Sequence, residues 1–202
     1  MRKLVSAFLI LLTVFSLSSC NIIANEKNSI GKSGNTVITV YSALKENFAL
    51  RKKKGYKLYG ARLSVNGENV GTYTYVYTNK RPDETEYSDV LVVEVNNRTG
   101  RIEKFSAPEY ENYGAWPYEM IQNAMPLDPA SFAVDSDTAI KNASDAHKGE
   151  DFVYNYVELT LAYTDGKPVY KVGHISLVNE CVYTSIVDVM TGAVTETSVE
   201  EL

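Results

Sequence analysis

The sequence is poor in the residues that staple or catalyse. Its 202 residues hold two cysteines, two histidines and a single tryptophan. Two cysteines allow at most one intramolecular bridge, which excludes a small disulfide-built scaffold. His147 and His174 stand alone, without the His-x-x-His or carboxylate spacing of a metal site. No serine sits in a Gly-x-Ser-x-Gly elbow and no glycine-rich loop is placed to cradle phosphate. The carboxylates that cluster, Asp83, Glu84, Glu86 and the Glu200-Glu201 tail, read as solvated charge rather than as a catalytic pair. Positive charge is also in deficit, 20 Lys and Arg against 25 Asp and Glu, for a net charge of -5. Such a surface repels a phosphate backbone and excludes nucleic acid as the expected partner. These scarcities together point to a protein that is not an enzyme and has no cofactor.

What remains is an ordinary globular balance, 45% hydrophobic and 22% charged, with tyrosine in excess at 15 against 6 phenylalanines. Tyrosine suits sheets with one wet face or a contact surface.

The first residues form an address rather than part of a domain. Arg2 and Lys3 precede an apolar run over 4–15, which is shorter than the roughly 20 residues of a membrane span and fits a signal peptide. The run ends in Leu17-Ser18-Ser19-Cys20, which resembles the lipobox of bacterial lipoproteins. That resemblance implies cleavage before Cys20, diacylglycerol on its thiol, and residence at the extracytoplasmic face of a cell membrane or envelope. Each buried methylene of an acyl chain contributes about 0.8 kcal/mol, so two chains anchor where one would exchange. Residues 1–19 are then the signal peptide and 20–36 a lipidated, polar stalk. Cys181 is left as a lone thiol inside a run of Val, Tyr and Ile, a small buried hydrophobe.

Two units follow, at 37–106 and 134–202. The first begins with an amphipathic helix predicted over 39–53, with Val40, Ala43, Leu44 and Phe48 near one face and Arg51 to Lys54 at its C-terminal turn before Gly55. Strands are predicted over 57–65, 70–78, 87–96 and 101–105, with Asn66-Gly67 and Thr99-Gly100 at turns. In the second strand Tyr73, Tyr75 and Tyr77 share one face. This row suits either sheet packing or a strip that binds a partner. The second unit starts with a helix capped by Ser136 or Asp137 and carrying Ala139, Ile140, Ala143 and Ala146 inward. Its strands are expected over 152–163, 169–177, 181–189 and 193–199, with Asp165-Gly166 and Thr191-Gly192 at turns. Between the units, 107–133 is a connector with Pro108, Pro117, Pro126 and Pro129 among Tyr110, Tyr113, Trp116 and Tyr118, and a short helix over 117–125. So many large aromatics call for packing on a unit, although Trp116 equally fits an exposed anchor for a partner.

The expected fold is therefore α+β, two repeats of one helix packed on a four-stranded antiparallel sheet. The spaced alanines after Asp135, the stretch Gly166-Lys167-Pro168-Val169-Tyr170, and Val187-Asp188-x-x-Thr191-Gly192 make the second unit resemble a PepSY domain. The first unit keeps only the final Thr99-Gly100 turn and the order of elements. The resemblance implies a membrane-associated or secreted bacterial protein and a peptidase-directed role, and it transfers no catalytic residue. The expectation is a membrane-tethered, non-catalytic module for a protein or peptide partner, with Tyr73, Tyr75, Tyr77 and Trp116 as candidate contacts. An accessory or sensory subunit of an envelope complex, and small-ligand carriage between the units, stand as alternatives.

Overall fold

The computed structural model describes residues 55–65, 71–96, 102–122, 124–149 and 151–202. The expected signal peptide, lipidated Cys20, stalk, helix over 39–53 and turns at Asn66-Gly67 and Thr99-Gly100 lie outside the described residues.

Eight strands appear in chain order: β1 (Lys57–Val65), β2 (Gly71–Thr78), β3 (Leu91–Asn96), β4 (Ile102–Ser106), β5 (Tyr156–Thr164), β6 (Lys167–Ser176), β7 (Cys181–Asp188) and β8 (Val194–Glu201). Three α-helices are described, α1 (Tyr110–Tyr113), α2 (Trp116–Gln122) and α3 (Ser136–Ala146). Each strand is an alternating or Val- and Tyr-rich segment bounded by turn residues, so its existence was legible locally.

The arrangement of the strands corrects the expected fold. They do not form two sheets, each with its own helix, but one antiparallel sheet in the order β4-β3-β2-β1-β5-β6-β7-β8. Each half is a meander, and the first strands of the two halves pair through Ala61↔Leu161, Arg62↔Thr160 and Leu63↔Leu159. An isolated four-stranded meander would leave an apolar strand such as β1 or β5 as an open edge. Pairing them hides both edges and makes one core in place of two marginal ones.

The front face of the sheet carries the main core. Alternation places Leu63, Tyr73, Tyr75, Tyr77, Val93, Val95, Val157, Leu159, Leu161, Tyr170, Val172 and Val187 there, all buried. Helix α3 lies on this face against β5 to β8 and buries Ala139, Ile140 and Ala143, whose small side chains let its backbone come close to the sheet. Its N-cap is Asp135, whose side chain accepts from the Ser136 N–H at 2.6 Å, rather than Ser136 or Asp137. Ser136 has another partner. Its buried Oγ lies 2.7 Å from the Tyr73 hydroxyl, so the start of α3 in the second half is bonded to β2 in the first.

The connector covers parts of both faces. On the back face α1 and α2 pack over the first half, where Ile121 joins Tyr59, Val76, Val90 and Val92, with Tyr113, Trp116, Tyr118 and Met120 around them. The Gly60 backbone admits this contact, because a Cβ there would run into the Met120 side chain and approach the Leu161 carbonyl to 3.2 Å. The chain then returns along β1, where the Leu127 N–H donates to the Leu58 carbonyl at 2.7 Å. Phe132 reaches the front core edge-on to Tyr170, with ring centroids 6.3 Å apart.

Candidate functional site

Helices α1 and α2 cover the back face over the first half, whereas over β5 to β8 most of that face is half-exposed or exposed, Val169 being buried there. Register places rows of side chains across it: Thr160, Lys171, Ile186 and Glu196, and, beyond the row of Glu158, Gly173, Thr184 and Ser198, Tyr156, Ile175, Val182 and Glu200. In the first and last of these rows no residue is buried. Where the covered and open halves meet, a cavity of 350 Å³ lies over the β1–β5 junction. Its walls are Trp116, Glu119, Met120 and Ala124 from α2 and the residues after it, with Arg62 from β1 and Thr160, Ala162 and Tyr163 from β5.

The chemistry of this groove follows from its walls. Trp116 and Tyr163 offer flat apolar surface, and Thr160 a hydroxyl. The Arg62 guanidinium stands 6.0 Å from the centre of the Trp116 ring and 3.7 Å from the Glu158 carboxylate. Both partners of that ion pair are close to half-exposed, so the pair adds little stability and its charges remain available to a ligand. Aromatic surface beside an exposed, oriented cation suits a peptide side chain or a small amphipathic molecule.

The structure separates the residues singled out from the sequence. Tyr73, Tyr75 and Tyr77 are 1% exposed or less, ring beside ring at 5.7 and 6.2 Å between centroids. They belong to the front core and present no surface to a partner, because alternation points the row beneath the folded chain. Trp116 is different. It packs on Tyr113 at 6.5 Å and also forms a wall of the groove, so it is both a core cover and an accessible ring. Arg62, Thr160 and Tyr163 were missed, because their juxtaposition depends on β1 pairing with β5. The Tyr-rich connector was the signal that a helix would lie beside them.

A second cluster lies at the far end of the second half. His174 and His147 sit around Phe152, with ring centroids 5.5 and 5.9 Å from it. Tyr154 meets His174 edge-on at 4.7 Å. His147, the C-cap of α3, places its Nε2 3.0 Å from the Ser185 Oγ and 3.2 Å from the Thr184 carbonyl. His174 is fully buried and neither ring nitrogen has a hydrogen-bond partner. Burial first, and then the neighbouring His147, push its pKa down from 6.5 to about 4, so it is a neutral packing residue at physiological pH. Cys181 is buried and free, as a small hydrophobe would be. Among the described residues no group of three or more His, Cys, Asp or Glu is placed to hold a metal, and no helix is long and apolar enough to cross a membrane.

No family model matches this chain, and no curated protein matches it. The likeness to PepSY domains therefore rests on the short motifs alone. A solved structure does match: a protein of Clostridium difficile 630, provisionally described as a lipoprotein, is similar with a TM-score of 0.50 and 16% sequence identity. The alignment covers 76% of this chain and 89% of that one, and at this identity it shows the fold alone.

Proposed function

We propose that this is a lipid-anchored, extracytoplasmic binding protein without catalytic activity, which engages a protein or peptide through the open back face of its sheet. The observation that supports this reading best is the contrast between the two halves of that face. One half is sealed by α1 and α2, and the other is left open beside a groove that holds Trp116 and Arg62. The charged start, apolar run and Leu-Ser-Ser-Cys sequence ending at Cys20 support the anchor, and the description of the structural neighbour is in keeping with it. The PepSY-like motifs of the second half make an envelope peptidase the first partner to test.

Crosslinking in cells that express the full chain, followed by capture and mass spectrometry, tests this reading. The same partner should be recovered with the parent and lost with Trp116→Ala, and Cys20→Ser should release the protein from membranes. Recovery that is indifferent to Trp116 and Arg62 would remove the groove from the reading. A second reading, small-ligand carriage, is favoured by the position of the cavity at the junction of the two halves. It requires native mass spectrometry of freshly purified protein to show a bound mass, and an apo mass alone would end it.

A further inference from the structure

The two edges of the sheet are built differently. Edge β4 is five residues long, and its pairing with β3 is irregular between Glu94 and Val95. It is also overhung by α1: the Lys104 ammonium lies 4.7 Å from the centre of the Tyr113 ring and 3.8 Å from the Glu109 carboxylate. Shortness, a register break, an inserted cation and a covering helix are the devices that stop an edge from pairing further. Among the described residues, edge β8 has none of them over most of its length. It runs eight residues, pairs with β7 without a break from Glu196 to Glu201, and every residue from Thr195 onward is exposed.

The side chains of β8 define what could join it. By register Glu196, Ser198 and Glu200 face the back and Thr197, Val199 and Glu201 the front, and the strand holds no Lys, Arg or Pro. Val199 is 59% exposed, and the strand is followed by exposed Leu202, whose N–H donates to the Glu180 carbonyl at 2.9 Å. A second copy of this chain, paired edge to edge, would set Glu196, Glu200 and Glu201 near their own counterparts, and like charges across strands destabilise. Anionic headgroups would be repelled in the same way. Backbone groups that point outward along an acidic strand, with a valine among them, complement an extended segment that carries lysine or arginine between apolar residues.

We propose that β8 is a docking edge for a basic, extended segment of a protein partner, which joins the sheet as a ninth strand. The back face then continues across the added strand, bordered by Glu196 and Glu200 on β8. This assignment rests on the reading of the protein as a binding module but uses none of the groove residues, so the two fail separately.

The test uses the full chain in uncharged detergent and a nine-residue N-acetylated peptide alternating lysine with valine and threonine. Calorimetric titration should show saturable binding tighter than about 1 mM. Hydrogen exchange should show new protection confined to amides of β8. Replacing Glu196, Glu200 and Glu201 together by Gln leaves the ladder to β7 in place and should weaken binding about tenfold, since each exposed charge pair contributes a few-fold at most. Trp116→Ala should bind the peptide as the parent does, even if it loses the cellular partner. The proposal is overturned by absence of saturable binding, by protection that falls outside β8, or by a triple variant that binds as tightly as the parent.

Discussion

His174 makes stability depend on pH in a way that can be worked out from its surroundings. The ring is buried among Phe152, Tyr154 and Tyr183, and both nitrogens lack partners. Folding therefore favours the neutral form, and the pKa falls from 6.5 to about 4. The sign follows directly. Above pH 6.5 neither the folded nor the unfolded chain protonates this ring, and stability is at its full value. As pH falls below 6.5 the unfolded chain gains a proton that the folded chain refuses, so stability declines until pH 4, below which both hold it. At about 1.4 kcal/mol per pH unit the whole effect is roughly 3 kcal/mol, of which about 2.5 kcal/mol has been lost by pH 4.5. That is a large share of the 5 to 15 kcal/mol typical of a domain. Urea unfolding followed by Trp116 fluorescence at pH 7.5 and pH 4.5 measures it, with His174→Leu as the reference. The leucine variant should match the parent or exceed it at pH 7.5, having lost two unpaired nitrogens, and should lose about 2.5 kcal/mol less on acidification. Other groups titrate over the same range, so the difference between the two proteins is the readout. Equal losses in both would refute the burial argument.

Three further outcomes test the packing. Gly60→Ala should destabilise by about 1 to 3 kcal/mol, because the new methyl meets Met120 and the Leu161 carbonyl, and a Tm shift under 1 °C would mean that α2 does not press on β1 as described. Asp188→Ala removes the carboxylate that accepts the Met190 and Thr191 N–H groups at 2.8 and 2.9 Å, and should cost about 1 to 3 kcal/mol at neutral pH. Those N–H groups hold the Asp188 carboxyl below its usual pKa, so the difference between variant and parent should shrink as pH falls through the carboxylate range; a gap that persists in acid would assign the effect to packing. Tyr73→Phe breaks the bond to Ser136 and should lower stability by about 0.5 to 1.5 kcal/mol, with faster hydrogen exchange at the start of α3; unchanged exchange would show that this bond does not tie the halves together.

Most elements were legible before the structure. The strands fall within a few residues of their expected places because period-two alternation and turn residues are local signals. The expected turns at Gly166 and Gly192 are confirmed by positive φ values of 74° and 75°. The exceptions are β3, expected from 87 but beginning at Leu91 after a 3-10 turn over Tyr87–Asp89, and β5, expected from 152 but beginning at Tyr156. Phe152 and Tyr154 have the residue types of a strand, but both rings pack in the histidine cluster rather than in the ladder. The connector was expected to pack, and it does. Which face it would cover depended on the long-range fit of Ile121 and Met120 over Tyr59 and Gly60.

From the sequence alone came the strands, the α3 helix, the turns at Gly166 and Gly192, the expectation of a lipid anchor at Cys20, and the absence of a recognisable catalytic motif. Each depends on residues near one another in the chain. Only the tertiary structure decided that β1 pairs with β5, that the tyrosine row is core, that Arg62, Trp116 and Tyr163 share a groove, and that β8 rather than β4 is the open edge. Strand alternation shows which residues share a face. It does not show which edges meet or what covers the face, since those depend on contacts between residues as far apart as Ala61 and Leu161.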